Sequence, residues 1–112
     1  MDDCAAFRYK KADAHLNRVY QKAMQYMTDD LAQAQKEADQ QQTRWAQTEM
    51  SSLKQAERAW LSYRDLQCKA AGQRNEGGSM QPLIETECLT TLTEHRIAEI
   101  KSIYEDGDRK LE

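Results

Sequence analysis

The 112 residues carry a net charge of −3, with 31% charged and 39% hydrophobic side chains. A chain this short folds as one domain around a narrow core. Mild acidity without a basic face argues against nucleic acid, and no apolar run reaches the roughly 18 residues needed to span a bilayer.

One Pro, four Gly and a single Val are too few for a β-rich fold of this length. Ala, Gln, Glu, Lys, Arg, Leu and Met dominate, and these residues form helices. The expectation is an all-α protein: a small antiparallel bundle of three to four helices, stabilised by a disulfide. Met1-Asp2-Asp3 lacks the basic and apolar regions of a signal peptide, and Leu111-Glu112 reads as a cloning remnant, as does Met1. The domain is therefore expected over residues 1–110 of a truncated mature chain, in which a missing signal peptide is no evidence for the cytoplasm.

The first helix is predicted over residues 3–27. Tyr9, Ala12, Leu16, Val19, Ala23 and Tyr26 recur at three- and four-residue steps and share one face. Arg8, Lys10, Lys11, Arg18 and Lys22 fall mostly on the solvated side. Residues 28–51 leave three readings open. Thr28-Asp29-Asp30 has the chemistry of a helix N-cap, but the segment also fits an extension of the first helix or a Gln-rich linker. Leu31, Ala34, Ala38, Gln41 and Trp45 keep a helical spacing, with Trp45 expected as an anchor.

A further helix is predicted from a capping box at Ser52-Leu53-Lys54-Gln55 to a stop near Gly72. Its stripe is Leu53, Ala56, Trp60, Tyr63 and Gln67, widened by Leu66. Residues 73–78 read as a loop. Ser79 is expected to cap the next helix, with Pro82 in its first turn. Leu89, Leu92, Ile97, Ile100 and Ile103 form the cleanest apolar stripe of the chain, closed by Asp106-Gly107-Asp108.

Cys68 and Cys88 fall in consecutive helices across this turn, and an antiparallel pairing brings them together. A disulfide closing a loop of about twenty residues is worth roughly 3 kcal/mol and implies an oxidising compartment. Two buried thiols, or a pairing of Cys4 with either, stay open. Cys4 is the odd cysteine, and an odd cysteine in a secreted domain suggests an intermolecular partner or one missing upstream.

No catalytic or metal set stands out. His15 and His95 have no second ligand at metal spacing, and Met24, Met27, Met50 and Met80 form no metal box. There is no nucleophile motif, phosphate loop or CxxC pair, so neither cofactor nor metal is expected. Arg64, Asp65 and Arg96 are expected to pair across the bundle, since Arg forms well-defined planar ion pairs at helix contacts; the alternative is a binding surface.

Cys4-Ala5, Tyr9, Ala12-Asp13, Leu16-Asn17, Tyr20, Ala56, Ala59-Trp60, Tyr63-Arg64-Asp65, Cys68, Gly77-Gly78-Ser79, Cys88, Thr93 and Arg96 follow one another in an order that resembles the LprI-like lysozyme-inhibitor domain of bacterial envelope proteins. Each piece is weak alone; the ordered series is specific. The resemblance implies a secreted, periplasmic or lipid-anchored helical domain with disulfides and no catalytic activity, and for some members inhibition of lysozyme. Two features depart from it. The family's further cysteine upstream of the Cys4 position is absent, and the Gln-rich segment is longer than usual.

Trp60, Tyr63, Arg64, Asp65, Thr93 and Arg96 then read as scaffold, with Trp60 and Tyr63 in the core. The expected working part is the loop Gln73, Arg74, Asn75, Glu76, Gly77, Gly78, Ser79 and Met80, held between two pinned helices. The expected partner is another protein, lysozyme foremost, towards which Glu85 and Glu87 would steer a basic surface. The rival expectation is an envelope assembly module that docks through the helix around Trp45.

Overall fold

A computed structural model describes residues 3–74 and 78–112. Three helices follow one another: α1 (Asp3–Lys36), α2 (Gln40–Gln73) and α3 (Gln81–Tyr104). They pack as an up-down-up bundle with extents of 60 × 22 × 16 Å. The described residues contain no strand, and none of the helices is long and apolar enough to cross a membrane.

The segment left open by the sequence divides between two helices. Thr28 does not cap; its hydroxyl donates to the Met24 carbonyl one turn back, and the Gln25 amide donates to Asp29. The chain reverses at residues 37–39. Ala38 adopts a positive φ of 55°, and the Asp39 and Ala38 amides donate back to the carbonyls of Ala34 and Gln35. This pattern of backward bonds is a Schellman stop built on alanine instead of glycine. Asp39 then caps α2, its carboxylate accepting from the Gln42 amide at 3.0 Å. Ser52 lies in the middle of α2, so the expected capping box does not form. An uninterrupted run of good helix formers on both sides leaves no free amides there to cap.

The core holds Leu16, Val19, Ala23, Met27, Leu53, Ile97, Ile100 and Leu111, with Trp60, Met50 and Tyr104 packed against it. On α2 the buried positions are Ala46, Leu53, Glu57, Arg64, Cys68 and Gly72. The expected stripe was therefore displaced around the helix: Tyr63 is 52% exposed and Leu66 68%, and Tyr63 is not a core residue. Two charged residues occupy core positions, which is why an apolar stripe misplaced the face. Ile103 on α3 is likewise exposed, and Trp45 is 58% exposed and anchors nothing.

Gly72 sits inside the last turn of α2, not at its cap. A Cβ there would come within 2.3 Å of the Glu85 side chain, so glycine lets α3 approach closely. Met80, not Ser79, occupies the N-cap of α3 and makes no side-chain capping bond; Pro82 lies in the first turn as expected. After Tyr104 the chain folds back. Tyr26 donates its hydroxyl to the Lys110 carbonyl, Arg109 forks onto Asp30, and Leu111, read from sequence as a remnant, is 1% exposed within the core.

Candidate functional site

The Cys68–Cys88 disulfide forms, with 5.4 Å between the Cα atoms. It pins the end of the bundle where α2 hands over to α3. Cys4, on the exposed first turn of α1, lies outside this bond.

Next to the disulfide, Arg64 ties all three helices together. Its Nη1 donates to Asp13 of α1 at 3.0 Å and to the Thr93 hydroxyl of α3 at 3.3 Å. Its Nε donates to Asp65 at 3.0 Å. The guanidinium also lies 5.5 Å from the Tyr9 ring centroid and 5.3 Å from that of Trp60, within cation–π range. Burial alone would lower its pKa, but the hydrogen bonds to Asp13 and Asp65 outweigh burial and raise it. Burial pushes the Tyr9 phenol up, against the pull of Arg64.

A second knot lies deeper. Arg96 of α3 donates from Nε to Glu57 of α2 at 2.9 Å and from Nη1 to Glu99, and lies 5.9 Å from the centroid of the same indole. Its pKa is lowered by burial and raised more strongly by these two carboxylates, Glu57 first. Nη2 is buried and has no hydrogen-bond partner among the described residues, so the Trp60 ring is part of what offsets its desolvation. Trp60 is thus within cation–π range of two guanidinium groups. The structure brings Trp60, Arg64, Asp65, Thr93 and Arg96 together, leaves Tyr63 outside, and adds Asp13, named from sequence only within the family pattern, and Glu57, which sequence reasoning did not single out. Glu57 was detectable: it stands four residues after Leu53 and three before Trp60, on the face those residues bury.

Beyond these knots lies the expected binding loop. Gln73 closes α2 and Arg74 is its C-cap; both are exposed, as are Gly78, Ser79 and Met80. Asn75, Glu76 and Gly77 lie outside the described residues. Between the loop and the start of α1 opens a cleft of about 640 Å³, lined by Ala5, Ala6, Ser79, Met80, Pro82, Leu83 and Thr86. Every one of these side chains is small, apolar or a hydroxyl. The cleft can take an apolar group, and among the described residues its lining holds no acid, base or nucleophile stronger than a hydroxyl. Of the two carboxylates expected to steer a partner, Glu87 pairs with Arg8 at 3.4 Å, while Glu85 packs over Gly72.

His15 bonds Glu112, and His95 is exposed on α3. Among the described residues no group of three or more His, Cys, Asp or Glu side chains is placed to hold a metal ion.

These features define a class: a small all-α domain stapled by one disulfide and by buried arginine knots. Within that class the chain belongs to the LprI lysozyme-inhibitor family, whose model, described as "Lysozyme inhibitor LprI", matches residues 1–100. The family is one of inhibitors rather than enzymes. An uncharacterised protein of Rhizobium meliloti (strain 1021) is 39% identical over 107 residues, covering 94% of this chain and 72% of that protein. No solved structure matches.

Proposed function

We propose that this protein is a non-enzymatic, periplasmic or secreted domain that binds a lysozyme and occludes its glycan cleft with the pinned α2–α3 end. The observation that carries the reading is the exposed loop end, with Arg74 and Met80 on either side, fixed to the scaffold by the adjacent disulfide. Family membership supplies the target class. A disulfide of this kind suits an oxidising compartment outside the cytoplasm.

Glycoside hydrolases of this kind work with a pair of carboxylates flanking the scissile bond. A blocking group must fill the cleft and satisfy those carboxylates. Arg74 offers a guanidinium, the cation that pairs best with a carboxylate. Met80 offers an apolar, adaptable side chain beside it. Pinning by the disulfide limits the freedom that Arg74 and Met80 lose on binding.

The test is hydrolysis of bacterial cell walls by several lysozymes in the presence of the purified oxidised protein. Saturable slowing is expected, with Arg74→Ala and Met80→Asp each weakening inhibition by about tenfold, the effect of losing one good interfacial contact. Full hydrolysis at large molar excess of the protein, with every lysozyme tried, would sink the reading.

A further inference from the structure

At the opposite end of the rod, α1 and α2 form a second groove, of about 390 Å³. Its floor is Ala34 and Ala46, both buried. Its walls carry Asp30 from α1, Glu37 from the turn that follows it, and Trp45 and Glu49 from α2. We propose that this groove docks an arginine or lysine side chain from a basic segment of a protein partner, independently of the pinned loop.

Three observations point to a cation. Trp45 is 58% exposed beside the Schellman turn, and an indole face in a groove attracts cations. Glu37 and Glu49 make no ion pair among the described residues, so two carboxylates of the groove stay open to a cation from a partner. The chain also shows the same chemistry in use alongside. The guanidinium of Arg109 forks onto Asp30 at 2.6 and 2.9 Å while lying 4.8 Å from the Tyr26 ring centroid. The groove presents that combination of carboxylate and aromatic ring again, with its cation position open.

A neutral sugar would also stack on an indole, but it would leave two carboxylate charges unbalanced. A side chain bearing a cation engages ring and carboxylates together. Charge complementarity therefore selects a basic peptide segment over a glycan.

The test titrates the full-length oxidised protein with a blocked tri-arginine peptide and, separately, with a chitooligosaccharide. The two indole N–H resonances are followed by NMR and assigned with Trp45→Phe. The expected result is a saturable shift of the Trp45 signal with the peptide, weakened at high salt, and none with the sugar. Trp45→Ala and the pair Glu37→Gln with Glu49→Gln should each weaken binding by about threefold or more, from loss of a ring or an ion-pair contact. Met80→Asp should leave it unchanged, which separates this site from the loop. The altered side chains are exposed, so unchanged circular dichroism is expected throughout. No peptide-dependent shift at millimolar concentration, a shift with the sugar alone, or full binding by the glutamine variants would each overturn the proposal.

Discussion

Two arginines carry similar chemistry in unequal surroundings. The Arg96 and Glu57 side chains are 8% and 10% exposed, whereas Arg64, 7% exposed, pairs with an Asp13 that is 40% exposed. Removing Glu57 leaves the buried Arg96 guanidinium with only Glu99, whose side chain is 56% exposed, and with Nη2 lacking a partner among the described residues. Breaking a buried pair from one side typically costs about 3–5 kcal/mol, and Glu57→Ala is expected in that range. Asp13→Ala should cost only about 1 kcal/mol, as for a pair in contact with water, because Arg64 keeps Asp65 and Thr93. Urea denaturation of the two variants measures the difference, and equal costs would contradict the burial argument. Sequence alone marked both arginines as pairing groups but not which carboxylates they hold. A carboxylate on a helix face has the same local signature whether its partner is water or an arginine from another helix.

At the level of elements, the division of the chain into helices was only partly legible. The α2–α3 boundary announced itself through glycines and Pro82. The α1–α2 boundary had neither, since its left-handed residue is Ala38 and its cap is one aspartate in a polar run. The left-handed conformation costs an L-residue roughly 1–2 kcal/mol, and glycine largely removes that strain while losing more entropy on folding. Ala38→Gly is therefore expected to stabilise the protein by about 0.5–1 kcal/mol, a rise in Tm in calorimetry. A drop would mean that the turn is not held in this conformation. The helix faces tell the same story. On α1 the apolar stripe and the buried face coincide at Ala12, Leu16, Val19 and Ala23. On α2 the buried face includes Glu57 and Arg64, so a reading that equates burial with apolarity slid to Tyr63 and Leu66.

Across the whole molecule, stability is unevenly spread. The large buried side chains come from residues 16–27 of α1, Leu53 of α2, residues 97–100 of α3 and Leu111. Towards the pinned end the fully buried residues are Ala5, Ala12, Arg64, Cys68, Gly72 and Thr93, and Leu83, Ile84, Leu89 and Leu92 are only half-buried. That end buries too little apolar surface to hold itself by packing alone, and the disulfide with the Arg64 knot makes up the difference. The bond spans 20 residues, worth roughly 3 kcal/mol by loop closure. Its loss should therefore act locally before it acts globally. On reduction, amide hydrogen exchange is expected to accelerate in residues 64–73 and 81–93, while residues 16–27 and 97–104 keep most of their protection, because local openings follow local packing. If the proposed function holds, slowing of lysozyme by the protein should fall along with protection of residues 64–73 and 81–93. Uniform loss of protection along all three helices would show that the staple supports the whole fold rather than its working end, and no change at all would show that the arginine knot suffices without it.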